Sequence, residues 1–189
     1  EAPENTIPAI EQAIKVRAAF AEIDVQSTKD GVVILSHNSN LKNTLGLDRN
    51  VWDVNYEEIA NLEVQGNFND AYRGTHIATL DEVIKQFRWL IRLNIELKPH
   101  DDPADLAAQV VKIVEDNYAV DSCVISSLDA QALQEVKKLN PRIKTAYIMS
   151  VAYGNVTDLD FADILCVEVT FLTESLVEEA HAKGKEVYT

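Results

Sequence analysis

The stretch Glu22-Ile23-Asp24-Val25-Gln26 decides how the chain is organised. Successive side chains of a β-strand point to opposite faces, so Glu22, Asp24 and Gln26 share one face and the two aliphatic residues share the other. Two carboxylates this close repel each other, and burying both in a dry core would cost much desolvation free energy. A divalent cation with oxygen ligands would stabilise such a pair. An exposed sheet face would need no cation, and the stretch alone leaves both interpretations open.

A second strand-like stretch repeats the pattern. In Asn94-Ile95-Glu96-Leu97-Lys98, the side chains of Asn94, Glu96 and Lys98 share one face. If this strand lies close to the first, Glu96 adds a third carboxylate to Glu22 and Asp24. The two stretches together therefore predict a metal site with three carboxylate ligands.

Length and charge limit the classes of partner. The chain has 189 residues, for which one domain is the default expectation. Its net charge is −14, with 17 Lys and Arg residues against 31 Asp and Glu residues, which argues against a nucleic-acid partner. A phosphate ligand stays compatible with this charge, because a bound metal inverts the local field. The sequence leaves the oligomeric state and the cellular location open.

The sequence gives little indication of a membrane span, of secretion or of disulfide bonds. The longest apolar runs are far shorter than the roughly 20 residues that span a bilayer, and no secretory signal is present. The chain starts at Glu1 rather than Met, so we expect a processed or excised piece. Cys123 and Cys166 lie in apolar runs, where we expect buried free thiols; a disulfide is the alternative.

Strand-like and helix-like segments alternate along most of the chain, which predicts a parallel sheet covered on both faces. We expect seven strands, at residues 20–26, 32–37, 92–98, 122–126, 144–149, 163–169 and 186–189. This is one fewer than a closed eight-stranded barrel contains. The prediction is therefore an α/β fold, a (β/α)8 TIM barrel lacking its first strand. Residues 1–189 would form one catalytic domain truncated at both ends, with a small insertion at about 38–78 after the third barrel strand.

The alternative architecture is an open doubly wound sheet, but the glycine-rich first turn typical of that fold is not found in the sequence. In (β/α)8 barrels, chemistry collects at the carboxyl ends of the strands. The acidic pair of the first strand, His37, and the Glu96/Lys98 pair all fall at predicted strand ends. This position favours the metal interpretation over the exposed sheet face.

Several short sequence motifs, in this order and over nearly the whole chain, resemble those of the glycerophosphodiester phosphodiesterase family. They are Ala2-Pro3-Glu4-Asn5-Thr6, Glu22-Ile23-Asp24-Val25-Gln26, Thr28-Lys29-Asp30-Gly31, Ser36-His37, Thr79-Leu80-Asp81-Glu82-Val83, Asn94-Ile95-Glu96-Leu97-Lys98, Ser126-Ser127-Leu128 and Val187-Tyr188-Thr189. The segment Glu96-Leu97-Lys98-Pro99-His100 is most similar to the corresponding segment of the subgroup whose catalytic domain is attached to a membrane-embedded amino-terminal region. The resemblance thus suggests a soluble domain of a membrane-attached bacterial protein. A membrane region elsewhere in the full-length protein would tether this domain.

The resemblance implies a hydrolase of lipid and glycerol metabolism, which converts glycerophosphodiesters to an alcohol and sn-glycerol 3-phosphate. It implies one divalent cation, Ca²⁺ or Mg²⁺, on Glu22, Asp24 and Glu96. His37 would be a catalytic histidine, and Lys98 would contact the phosphate; pairing of Lys98 with the acids alone is the alternative.

One further candidate comes from its place in the chain. Glu168 ends the strand predicted at residues 163–169, where it could face the barrel mouth. A carboxylate there can accept hydrogen bonds from hydroxyl groups. We therefore expect it to meet the glycerol hydroxyls of the substrate, with a plain surface position as the alternative.

Two departures from the family pattern bear on activity. The family's other catalytic histidine lies in a His-Arg-Gly motif ahead of the Pro-Glu-Asn-Thr segment, and this sequence begins after that motif. Asn38 stands where the family usually has Asp, and Asn cannot supply a charge to the neighbouring imidazole. We therefore expect this fragment to be impaired in catalysis. A non-catalytic metal- and phosphodiester-binding domain of the same fold is the alternative function.

Overall fold

The computed structural model describes residues 2–66, 68–101, 103–149 and 154–189, without the side chains of residues 103 and 104. The helices in this part of the chain are α1 (Ile7–Lys15), α2 (Lys42–Leu45), α3 (Tyr56–Ile59), α4 (Leu80–Phe87), α5 (Pro103–Asp116), α6 (Ala130–Leu139) and α7 (Glu174–Ala182). The strands are β1 (Phe20–Ser27), β2 (Val33–Leu35), β3 (Arg92–Leu97), β4 (Cys123–Ser127), β5 (Lys144–Met149), β6 (Ile164–Val167) and β7 (Glu186–Tyr188).

All these strands form one sheet in the order β2-β1-β3-β4-β5-β6-β7. From β1 through β7, each neighbouring pair is parallel, and helices occupy most of the connections. The register places one residue of each parallel strand in a single row, which we call the central row. Its members are Asp24, Glu96, Ser126, Ala146, Ile164 and Glu186.

The direction of β2 differs from the prediction. We expected residues 32–37 to form a parallel barrel strand, but β2 pairs with β1 in the antiparallel direction, with Val25 opposite Leu35. The reason is the short connection between Ser27 and Val33, because a parallel connection needs a dozen or more residues. The described residues therefore supply six parallel strands, and β2 belongs to a hairpin at the carboxyl end of β1.

Two apolar layers hold the sheet in place. The larger one lies between the sheet and its helices, where Ile23, Val25 and Ile95 pack in one buried cluster with Val110 and Leu133. The smaller one lies on the opposite face of the sheet, around Val124, Ala146 and Ile164. Ile23 and Asp24 thus point to different layers, as the alternation along β1 predicts.

Residues 38–78 form short elements between β2 and α4. Their buried aliphatic side chains pack together with one residue of β2 in a separate cluster of Ile34, Leu41, Leu45, Val51, Val54, Ile59 and Ile77. Asp30, in the turn of the β1–β2 hairpin, accepts a hydrogen bond from the backbone N–H of Tyr56 at 3.0 Å. This segment is therefore packed by its own side chains and attached to the hairpin.

Both cysteines are free, as predicted. Burial raises the pKa of the Cys123 thiol to about 12 and that of the half-buried Cys166 thiol to about 11. At neutral pH both are protonated, so neither is a ready nucleophile.

Candidate active site

The pairing of β1 with β3 brings the predicted carboxylates together. Asp24 lies opposite Glu96, and Glu22 lies opposite Asn94. One ligand oxygen from each of Glu22, Asp24 and Glu96 lies within 4.8 Å of the other two. Asp24 and Glu96 are buried, whereas Glu22 is exposed. The three side chains, which we call the acidic cluster, therefore combine two rigidly packed ligands with one that water can reach.

Lys98, directly after β3, lies against this cluster. Its Nζ is 2.6 Å from Oε1 of Glu96 and 3.2 Å from Oδ1 of Asp24. Burial disfavours the ammonium ion, but the contacts with Glu96 and Asp24 outweigh burial, so the pKa of Lys98 is raised above its ordinary value. A permanently charged Lys98 is suited to hold an anion, and it cannot act as a neutral amine nucleophile near neutral pH.

One oxygen of β3 tests whether a cation fits here. Oδ1 of Asn94, on the same strand face as Glu96, is buried and accepts no hydrogen bond from the described residues. Buried acceptors without donors are rare in proteins and call for an explanation, and a bound ion is one. Hard divalent cations such as Ca²⁺ and Mg²⁺ take such carboxylate and amide oxygens as ligands. The donor set therefore fits a divalent cation.

The acidity of Glu22 reflects its crowded position. Partial burial raises the pKa of Glu22 to about 7, and the charges of Asp24 and Glu96 add to this effect, while Lys98 and His37 oppose it. A cation that binds there readily displaces the proton of a carboxyl group that is half protonated near neutral pH.

Asn5 positions one of the cluster carboxylates. Its Nδ2 donates to Oδ2 of Asp24 at 2.9 Å, and its Oδ1 accepts from the backbone N–H of Asp24 at 2.8 Å. The backbone of Asn5 is left-handed, with φ at 54°, a conformation that Asn tolerates better than most residues. Asn and Thr both favour the capping position of a helix, and in α1 the cap is Thr6, whose side chain accepts from the backbone N–H of Ala9. Asn5 is thus free to hold Asp24.

His37 lies at the mouth of the barrel, beyond the carboxyl end of β2. It is exposed, and it lines a cavity of about 400 Å³ together with Lys98. Its backbone is fixed by buried Gln26, whose Nε2 donates to the carbonyl oxygens of Ser36 at 3.0 Å and His37 at 3.1 Å. Nδ1 of His37 lies 3.3 Å from Oδ1 of Asn38. The β1 stretch thus supplies two of the carboxylates and also the group that holds the histidine backbone.

Two other residues define the edges of the site. Glu168, a predicted substrate contact, is exposed just after β6, and no described contact joins it to the acidic cluster. Trp52 stacks on His100 with ring centroids 3.4 Å apart and planes 6° apart. This stack connects the 38–78 segment to the loop after β3, a contact that the sequence did not indicate.

Comparisons with known proteins agree with this geometry. The sequence profile of the glycerophosphoryl diester phosphodiesterase family matches residues 1–189. The chain therefore belongs to the glycerophosphoryl diester phosphodiesterase family.

Among its relatives, the glycerophosphodiester phosphodiesterase of Bacillus subtilis strain 168 is 28% identical over 86% of this chain and 60% of its own length. The crystal structure of the glycerophosphodiester phosphodiesterase of Agrobacterium tumefaciens C58 superposes with a TM-score of 0.83 at 26% identity, covering 98% of this chain and 80% of that one. An Oleispira antarctica phosphodiesterase, whose structure holds the product sn-glycerol-3-phosphate, superposes with a TM-score of 0.86 at 27% identity. That alignment covers 98% of this chain and 78% of the other.

These matches confirm the predicted family and the TIM-barrel fold. The chain spans 60% of the Bacillus subtilis enzyme and about four fifths of the two solved structures.

Proposed function

We propose that this chain is the catalytic barrel of a metal-dependent glycerophosphodiester phosphodiesterase, which hydrolyses its substrates to an alcohol and sn-glycerol 3-phosphate. The observation that carries the proposal is the acidic cluster, with Lys98 against it and His37 lining the same cavity as Lys98. The product in the Oleispira antarctica relative is the one that this reaction would yield.

Each residue has a distinct task in this proposal. Glu22, Asp24 and Glu96 would hold one divalent cation, Ca²⁺ or Mg²⁺. When bound, that cation would neutralise phosphate oxygens and acidify a nucleophilic hydroxyl group. Lys98 would hold a phosphate oxygen as a point charge, and its charge would stabilise the transition state more than the ground state.

His37 would serve as one half of an acid–base pair. Hydrolysis adds the elements of water across a P–O bond, so one group must accept a proton from the nucleophile and another must deliver one to the leaving alcohol. If Nδ1–H of His37 donates to Oδ1 of Asn38, Nε2 is left to exchange the proton at the mouth. Asn38 can orient the ring in this way, but unlike Asp it cannot stabilise an imidazolium by charge.

The test uses the full-length protein that contains this chain. After treatment with a chelator, Ca²⁺ and Mg²⁺ are titrated separately by calorimetry, and release of glycerol 3-phosphate is assayed with each ion. We expect stoichiometric binding of at least one ion and activity that returns with it. His37→Ala should lower turnover by about two to four orders of magnitude and leave ion affinity unchanged. His76→Ala, at an exposed histidine in the 38–78 segment, is the matched control.

The non-catalytic alternative has one observation in its favour, namely Asn38 beside His37. The same titration separates the two. Ion binding without ion-dependent release of glycerol 3-phosphate supports the binding domain and contradicts the enzyme. Activity that is indifferent to chelator contradicts both.

A further inference from the structure

The amino ends of the strands carry a second chemical pattern. Residues 15–19 lead into β1, and residues 88–91 lead into β3. These segments enter the sheet side by side, because Phe20 pairs with Arg92 in register. The guanidinium of Arg92 also lies 4.8 Å from the centre of the Phe20 ring. The two segments therefore form one continuous surface at the amino ends of the strands.

Large apolar side chains on this surface are left in water. The exposed fractions are 77% for Val16, 76% for Trp89, 64% for Leu90 and 83% for Tyr118. Arg88 joins two of their segments, since its guanidinium lies 5.2 Å from the Trp89 ring centre and donates to the carbonyl oxygen of Asn117, the residue before Tyr118. Large exposed apolar side chains gathered at one end of a sheet make that end a candidate interaction site.

The charged residues of the two leading segments are all basic, whereas Glu115, Asp116 and Asp121 flank Tyr118. Lys112 pairs with Asp116 and Arg142 pairs with Asp121. Residues 15–19 and 88–92 contain Lys15, Arg17, Arg88 and Arg92 and no acidic residue, in a chain of net charge −14. Basic residues do favour helix carboxyl ends. However, α5 ends with Glu115 and Asp116, so this chain does not follow that preference everywhere. The helix dipole also gives no reason for the exposed Trp89.

The backbone gives an independent reason to assign a role to two of these side chains. Helices α1, α5 and α7 end in the same hydrogen-bonding pattern, with a left-handed residue just after the helix. In α7 that residue is Gly184, as the conformation favours. In α1 it is Arg17 with φ at 58°, and in α5 it is Tyr118 with φ at 54°. A side chain at this position destabilises the fold, yet both side chains point into water, where they gain no packing energy.

The exposed apolar residues at the mouth have neighbours of the opposite charge. Leu128, Val169, Phe171 and Leu172 are also exposed, but Asp129, Glu168 and Glu174 lie next to them in the sequence. Residues 126–130 and 167–174 contain no Lys or Arg, whereas residues 15–19 and 88–92 contain four, so an anionic surface is attracted to those two segments.

We propose that the amino-end surface, formed by Lys15, Val16, Arg17, Arg88, Trp89, Leu90, Arg92 and Tyr118, docks on a membrane that contains anionic lipids. An exposed Trp among basic residues, with an exposed Tyr on the neighbouring segment, favours the interface between lipid head groups and acyl chains. No helix among the described residues has the length and apolar character to cross a bilayer, so this contact would be peripheral. It would leave the mouth of the barrel facing the water, and it does not depend on the proposed reaction.

The test measures co-sedimentation of the protein with two kinds of vesicle, one of phosphatidylcholine alone and one of equal parts phosphatidylcholine and phosphatidylglycerol. We expect binding to the anionic vesicles only, weakened by added salt. Replacing Lys15 and Arg17 with Gln should weaken the partition coefficient by about fivefold per residue. Trp89→Ala should weaken it by about tenfold.

Tyr118→Gly is the decisive variant, because it should weaken vesicle binding while leaving the melting temperature unchanged or raised. A loss of binding from this variant cannot come from misfolding. Phe171→Ala at the mouth is the matched control and should bind vesicles as the unaltered protein does.

Three results would overturn the proposal: equal binding to both vesicles, no binding to either, or weakening by Phe171→Ala alone. If the surface instead pairs with a second copy of the chain, sedimentation velocity will show a dimer that Trp89→Ala dissociates, with no vesicle binding. Release of glycerol 3-phosphate from a soluble substrate should be the same in all these variants, so failure here is distinguishable from failure of the proposed function.

Discussion

Two halves of the central row share one sheet and one face but differ in chemistry. On β1 and β3 the row holds Asp24 and Glu96, whose oxygens crowd together with Glu22 and Lys98. On β5 and β6 it holds Ala146 and Ile164, which pack in a buried apolar cluster. Ser126 lies between these two parts of the row, and Glu186 ends it on β7, where it pairs with Lys144. The backbone geometry is the same in both halves, so only the side chains separate a site from a core.

The difference shows which part of the sheet stabilises the fold and which part forms the candidate active site. The apolar half stabilises the fold by removing surface from water. The acidic half gathers three carboxylates whose ligand oxygens lie within 4.8 Å of one another, which is costly unless a cation binds. Substitutions in the two halves should therefore have opposite consequences.

The largest effect is expected for Glu96→Gln. Loss of one charged ligand should lower ion affinity and ion-dependent turnover by about three orders of magnitude. In chelator the variant should be no less stable than the unaltered protein, because one of three clustered carboxylates is neutralised and Asp24 still pairs with Lys98. Calorimetric titration and urea denaturation measure the two quantities. Glu178→Gln, at an exposed residue of α7, removes the same charge away from the row; it is the control and should alter neither.

Ile164→Ala should show the reverse behaviour in the apolar half. Truncating this fully buried side chain should lower the free energy of unfolding by about 3 kcal/mol and leave ion affinity unchanged. Urea denaturation in chelator, followed by ion titration at a temperature where the variant is folded, gives both values. Ion affinity that falls as far as in Glu96→Gln would mean that the two halves are not separable.

Asn5→Asp should have a smaller effect at the border of the acidic half. An aspartate has the same shape, but it cannot donate to Oδ2 of Asp24 and adds a like charge beside it. We expect a 10- to 100-fold loss of ion affinity. Asn43→Asp, which adds the same charge elsewhere in the cavity that Asn5 lines, should change affinity much less. Equal losses in both variants would assign the effect to net charge rather than to the contact with Asp24.

The smallest effect concerns pH. With a folded pKa of about 7 against an ordinary value of 4.5, Glu22 keeps its proton longer in the folded protein than in the unfolded chain. The folded state then binds more protons between these values, so metal-free stability should fall as pH rises through this window. Because Glu22 is exposed, water screens the change and the slope should be shallow. Unfolding measured in chelator across the window should show this slope, and Glu22→Gln should remove it.

Much of this site could be predicted from local sequence. Alternation along a strand places Glu22 with Asp24, and Glu96 with Lys98, whatever the rest of the fold does. That β1 and β3 are direct neighbours depends on residues 28–91 returning the chain to the sheet, and the resemblance to a barrel family supplied that step. The antiparallel direction of β2 was readable from its short connection, but the strand count outweighed it.

Other features depend on tertiary context. Asn5 precedes a helix, where a capping role is the usual expectation, and its contact with Asp24 requires the left-handed backbone that the fold imposes. Trp89 follows Phe87, the last residue of α4, and is exposed. A continued helix would place it on the side opposite the four buried positions of α4, so its exposure agrees with the local periodicity. Its position beside the segment before β1 depends instead on the pairing of β1 with β3.

The chain's two tryptophans stand at opposite ends of the barrel. Trp52 stacks on His100 beside the mouth, and Trp89 is exposed at the amino-end surface. Each indole is thus an intrinsic fluorescent reporter for one end only. Changing one or the other to Phe would give two single-tryptophan variants. Tryptophan emission would then follow ligand entry at the mouth in one variant and lipid contact at the amino-end surface in the other, without any attached dye.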